Sequence, residues 1–145
     1  MSSVSIAFKY QDDITEQAPK DCPPKDATQR DIVAFRFVNK PISDKDFQTY
    51  VREGKLQRMT NLKHEAKCRC CGLSMFNTQE AAIRKYNNIK PHPASTDVSF
   101  THLAKGDIKK KHGFCTEPKP TGGHFTLFEF AGIDLKGEFA IVSEL

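Results

Sequence analysis

Two short segments of cysteine and histidine carry the residues of this chain that are best suited to chemistry. Cys68 and Cys71 are separated by two residues, and Gly72 follows them directly. A turn of this spacing lets both sulfur atoms point at one metal ion, and a glycine can adopt the positive φ that a tight turn often needs. His112 and Cys115 repeat the spacing further along the chain. Together the two pairs predict a closed, four-ligand structural zinc site.

The histidine of this ligand set has alternatives. His64 lies four residues before Cys68 and is the best substitute for His112, and His124 is a further candidate. Cys70 stands between the two presumed ligands and is expected to point away from the ion. The competing interpretations are buried cysteines without a metal and a dithiol that cycles between redox states.

Composition and charge describe one polar globular domain. The chain has 145 residues, of which 38% are hydrophobic and 28% charged, and this length suits a single core. No apolar run is long enough to cross a bilayer, and the N-terminus lacks the pattern of a secretory signal. The sequence therefore predicts a soluble, cytoplasmic protein without a membrane partner. Because thiols stay mostly reduced there, the isolated Cys22 is expected to be an unpaired surface thiol.

The net charge of +4 is mild. It permits an anionic small ligand or a protein partner and does not favour nucleic acid, whose binding domains usually carry a denser basic face. The run from Lys109 to Lys111 fits a nucleic-acid contact less well than a solvated turn, because no aromatic residues alternate with its lysines.

Arg36 is the one charge inside the apolar run Ile32–Val38. A guanidinium in that position must reach an acid, such as Glu129 or Glu138, or bind an anionic ligand. In residue order the chain is similar to ADP-ribosyltransferase-like domains. The resemblance implies that Arg36 would hold a dinucleotide and that a late glutamate would serve catalysis, with Ser74 between them in the chain.

The segment Thr121-Gly-Gly-His124 precedes a predicted strand. Its paired glycines expose backbone N–H groups that could cradle a phosphate or carboxylate beside His124, although a hairpin loop is the simpler interpretation. His124, Arg36 and Glu129 are therefore the candidate catalytic residues.

Alternating and helical hydrophobic patterns predict an α+β fold in a single domain, with a mostly antiparallel sheet of about five strands and two helices. An N-terminal strand and polar arm occupy 1–31, and the α+β domain with its inserted cysteine turn occupies 32–145. The strands are expected at 4–10, 32–38, 97–105, 125–130 and 138–142, and the helices at 43–54 and 77–88.

These observations favour a small zinc-stabilised binding module of unknown ligand. The alternative is a small nucleotide-handling enzyme, for which the resemblance of residue order is the argument.

Overall fold

The fold is a six-stranded antiparallel sheet with helices on one side. A computed structural model describes residues 8–49, 51–52, 62–89 and 100–145. The strands are β1 Ile32–Val38, β2 Leu73–Phe76, β3 His102–Ile108, β4 Gly113–Cys115, β5 His124–Glu129 and β6 Phe139–Glu144. They are arranged in the order β4-β5-β2-β1-β3-β6. The predicted α+β class with an antiparallel sheet is confirmed, with six strands in place of five.

Within these described ranges, three α-helices accompany the sheet, namely α1 Gln11–Gln17, α2 His64–Arg69 and α3 Gln79–Ile89. The predicted helix at 77–88 corresponds to α3. The helix expected from Ser43 is only a 3-10 turn, Asp44–Phe47, although the Ser43 N–H does donate to Asp46 Oδ2 at 2.8 Å as a cap requires. Two further 3-10 turns cover Lys110–His112 and Lys136–Glu138.

Alternation along β5 defines the two faces of the sheet. Adjacent side chains of a strand point to opposite sides, so Leu127 and Phe128 mark what we call the Leu127 face and the Phe128 face. The core on the Leu127 face combines residues of all six strands, including Val38, Met75, Ile108, Leu127 and Phe139. The 3-10 turn Asp44–Phe47 covers it, since the rings of Phe47 and Phe139 lie 5.2 Å apart between centroids.

The Phe128 face carries two smaller clusters. At one end, α3 packs on β1 and β2 through Phe35, Phe76, Ala82 and Leu103. At the other end, α1 and α2 contact each other and bury Ile14, Ala18, Cys68, Cys71 and Phe128 together. This second cluster places the cysteine segment against the sheet.

Gly72 joins α2 to β2 and departs from its predicted role. It is not among the residues with positive φ. A Cβ at this position would meet Thr126 Cγ2 at 2.4 Å. The glycine is therefore required by the close approach of the turn to β5, not by its backbone angles.

The N-terminal segment is tied to the sheet at two points. Most of the strand expected at 4–10 falls outside the described residues, but Phe8 forms an isolated bridge with Phe130. Thr28 forms a second bridge with Cys115, and α1 occupies part of the predicted polar arm. Within the described ranges, no helix has the length and apolar character needed to cross a bilayer.

Candidate functional site

A cleft of about 420 Å³ opens on the Phe128 face between the N-terminal segment, α2 and the start of β5. We call it the His124 cleft. Charged and hydroxyl side chains line it, including Lys25, His64, Arg69, Thr116, Lys119 and His124. Its size falls within the range of small-molecule sites in proteins.

His124 lies at the β5 end of the cleft with a neutral imidazole. The Ser74 Oγ and His124 Nε2 atoms are 2.7 Å apart and share a hydrogen bond, and the ring packs edge-on against Phe76. Burial lowers the pKa of His124 to about 4, and the positive charges of Lys119 and Arg69 contribute. At neutral pH the ring therefore offers an uncharged hydrogen-bonding group to the cleft.

The field around His124 is positive. Among the described residues, the charges that act most strongly on the ring are the cationic ones of Lys119, Arg69 and Lys85. Four acids also line the cleft, namely Asp21, Asp26, Glu65 and Glu117. Glu117 pairs with Arg30 at 3.0 Å, and Asp26 Oδ2 accepts the Glu117 N–H at 3.2 Å. The β5 end of the cleft thus carries the positive charges of Lys119 and Arg69, while the lining as a whole holds three cationic and four acidic side chains.

The glycine loop before β5 is a structural turn. Gly122 and Gly123 have positive φ, as a hairpin loop requires. The Gly123 N–H donates to the Lys119 carbonyl at 3.1 Å, so it is already used within the turn. A Cβ at Gly123 would meet Asn77 Oδ1 at 2.2 Å. The loop positions His124, and the Gly123 amide does not serve as an anion cradle.

A disulfide joins Cys22 to Cys68, with their Cα atoms 5.6 Å apart. The prediction that Cys22 is an unpaired surface thiol is therefore wrong. The prediction relied on spacing in the sequence, but Cys68 lies 46 residues from Cys22, and only the fold brings the two cysteines together. The bond anchors the N-terminal segment to α2 at the edge of the His124 cleft, since Cys68 also lines that cleft.

The structure does not bring the four predicted zinc ligands together. Cys68 and Cys71 pack in the cluster on the Phe128 face, whereas Cys115 belongs to the core of the Leu127 face. Among the described residues, no group of three or more His, Cys, Asp or Glu side chains is arranged to hold a metal ion. Zinc itself stays a prediction, because its presence in the protein is untested.

His112 has a local role in the connection between β3 and β4. Its ring is 1% exposed, and Nδ1 accepts the Lys109 N–H at 2.8 Å. Nε2 faces Glu138 Oε1 at 3.8 Å. Burial lowers the pKa of His112, while Glu138 acts in the opposite direction. Both ring nitrogens therefore face groups of the fold itself.

Glu129 and Arg36, the other catalytic candidates, belong to the Leu127 face and not to the His124 cleft. Glu129 is 2% exposed, and its Oε2 lies 3.4 Å from Lys9 Nζ. Its Oε1 has no hydrogen-bond partner in the part of the chain that the structure describes. Burial raises the pKa of Glu129 to about 7, against the lowering effect of Lys9. Burial and the Glu129 charge together raise the pKa of the nearby Tyr10 to about 12.

Arg36 joins β1 to its neighbours through backbone carbonyl groups. Its guanidinium donates to Asp46 O at 2.7 Å, to Ser74 O at 2.7 Å and to Gln48 O at 3.2 Å. It also stacks over the Phe47 ring at 5.8 Å. Strands β1 and β2 pair only at Phe35 and Phe76, so the guanidinium bridges the two strands next to their single pairing point.

We expect Arg36→Met to lower the free energy of unfolding by about 2 kcal/mol, because it removes charge-assisted hydrogen bonds to three carbonyl groups. Urea denaturation measures the change. Arg84→Met is the matched control, since Arg84 is exposed on α3. Equal stability of the two variants would contradict this role for Arg36.

Comparison with protein families, with curated proteins and with solved structures finds no match to this chain.

Proposed function

We propose that this protein is a binding module for a small anionic ligand, which occupies the His124 cleft with its negative group beside His124. The observation that carries the proposal is the charge around that ring. Lys119 and Arg69 line the cleft together with His124. After burial, these two charges and that of Lys85 lower the pKa of the ring. The same positive potential that disfavours protonation of His124 attracts an anion.

The shape and lining of the cleft support a small molecule. A volume of about 420 Å³ suits a ligand of metabolite size. Thr116 is among the lining residues, and its hydroxyl group can donate a hydrogen bond to a phosphate or carboxylate. Asp21 and Glu65 are further lining residues and favour a ligand that also carries a polar or positively charged part.

The test is a set of titrations with inorganic phosphate, citrate and adenosine diphosphate, in which the NMR signals of the His124 ring report binding. At least one anion is expected to shift these signals and to raise the pKa of His124, because a bound negative charge favours the imidazolium. Lys119→Met should weaken the binding about tenfold, which corresponds to the loss of one charged contact.

Lys105→Met is the matched control, because Lys105 is exposed on β3 and does not line the cleft. The proposal is rejected if no anion perturbs His124 at millimolar concentration, or if the two lysine variants weaken binding equally. Binding of the diphosphate without binding of phosphate or citrate would favour the nucleotide-handling alternative, which a subsequent assay for turnover would then test.

A further inference from the structure

Three cysteines and one histidine lie on α2 or next to it, where the helix is joined to the N-terminal segment. His64 and Cys68 are one helical turn apart, and both line the His124 cleft. Cys71 follows one turn later, with its N–H donating to the Cys68 carbonyl at 2.9 Å. Cys22 packs in the same cluster as Cys68 and Cys71. His64 Nε2 contacts the backbone carbonyl of Lys20, two residues before Cys22.

We propose that reduction of the Cys22–Cys68 disulfide creates a zinc site formed by Cys22, Cys68, Cys71 and His64. Three thiolates and one imidazole form an established tetrahedral zinc set. With zinc–sulfur bonds of about 2.3 Å, tetrahedral geometry separates two sulfur atoms by roughly 3.8 Å. The Cα atoms of Cys22 and Cys68 are 5.6 Å apart, so side-chain rotation suffices to reach this separation.

The chemistry balances with a dithiol as reductant. The dithiol supplies two electrons and two protons, the S–S bond breaks, two thiols form, and the dithiol becomes a disulfide. Zinc then displaces the protons of the three thiols, while His64 exchanges its contact with the Lys20 carbonyl for the metal. The resulting site has one net negative charge, and the charged residues of the same cleft nearest to it in sequence are Asp21, Lys25, Glu65 and Arg69.

The oxidised structure is consistent with this switch. The disulfide occupies the sulfur atoms of Cys22 and Cys68, and among the described residues no group of three or more His, Cys, Asp or Glu side chains is arranged to hold a metal ion. Cys70, at the C-terminal cap of α2, does not belong to the cluster and supplies no ligand. The site differs from the set that spacing predicts, because Cys22 and His64 replace Cys115 and His112.

The experiment titrates Co²⁺ and then Zn²⁺ into the full chain, oxidised and after reduction under anaerobic conditions, with native mass spectrometry and visible absorption as readouts. The reduced protein is expected to bind one ion with a sulfur-to-cobalt charge-transfer band, and the oxidised protein none. Cys71→Ser should lower that band by about one third, because two thiolates remain of three. His64→Ala should weaken zinc affinity more than about tenfold.

Two control variants separate this site from its alternatives. Cys70→Ser and Cys115→Ser should each leave the stoichiometry and the band unchanged. Loss of binding in Cys115→Ser, or binding that ignores both Cys71→Ser and His64→Ala, would overturn the proposal. NMR spectra report the fold of the reduced protein. If the reduced protein unfolds and zinc does not restore the fold, the proposal is overturned as well. If zinc restores the fold, the proposal is supported.

Discussion

Replacing both Cys22 and Cys68 by alanine will lower the free energy of unfolding by about 4 kcal/mol relative to the oxidised protein. The disulfide closes a loop across 46 residues of sequence separation. In the chain-entropy account, a loop of this size removes about that much conformational freedom from the unfolded state. The double variant is chosen because a single replacement would leave a thiol that could pair with Cys70 or Cys71.

Guanidinium denaturation under oxidising conditions measures this loss. Cys70→Ser is the matched control, since Cys70 is only partly buried and takes no part in the bond. Reduced wild-type protein without zinc should unfold at nearly the same guanidinium concentration as the double variant. A double variant as stable as the oxidised wild type would show that the bond does not constrain the unfolded chain.

The second large effect is the dependence of stability on pH that Glu129 causes. Burial raises the pKa of Glu129 from 4.5 to about 7. In the unfolded chain the carboxyl group ionises near pH 4.5, whereas in the fold it keeps its proton up to about pH 7. The contribution of Glu129 to the free energy of unfolding is thus fully present below pH 4.5 and is lost as the pH rises through 7. The total loss is about 3 kcal/mol.

His124 acts in the opposite direction over an overlapping range. Its pKa falls from 6.5 to about 4 in the fold, so its contribution is present above pH 6.5 and is lost as the pH falls through 4. The two effects partly cancel in the wild-type protein. The comparison that isolates Glu129 is therefore the difference between wild type and Glu129→Gln, in which the His124 contribution cancels.

The measurement is a series of urea denaturations from pH 4 to pH 8. Between pH 4 and pH 8, the free energy of unfolding of Glu129→Gln should rise by about 3 kcal/mol relative to that of wild type. The buried amide adds a cost that does not change with pH, so it does not affect this difference. Glu144→Gln, at an exposed carboxyl group of β6, should follow the wild-type curve. Parallel curves for wild type and Glu129→Gln would contradict the raised pKa.

Long elements with a strong pattern are the part of the fold that could be predicted. Strand β1 spans Ile32–Val38 as expected, because its apolar residues carry both a β pattern and high strand propensity. Helix α3 follows from its capping region and apolar stripe. Strand β2 has only four residues and β4 three, which is too short for a period to be recognised.

The candidate site was less predictable, because its parts come from distant segments. Spacing identified Cys68 and Cys71 as one local group and named His64 and His124, two residues that line the His124 cleft. Spacing could not identify Cys22 as the disulfide partner of Cys68. It also could not show that Cys115 faces the opposite side of the sheet. Which face a strand residue occupies depends on register with its neighbours, and one-residue steps reverse it.

Periodicity and spacing over a few residues were enough to predict the class of fold, strand β1 and the local cysteine group. Three contacts could be seen only in the folded molecule, namely the bond between Cys22 and Cys68, the hydrogen bonds of Arg36 to backbone carbonyl groups and the burial of Glu129. These are contacts between segments far apart in the chain, and the packing of both faces of one sheet sets them.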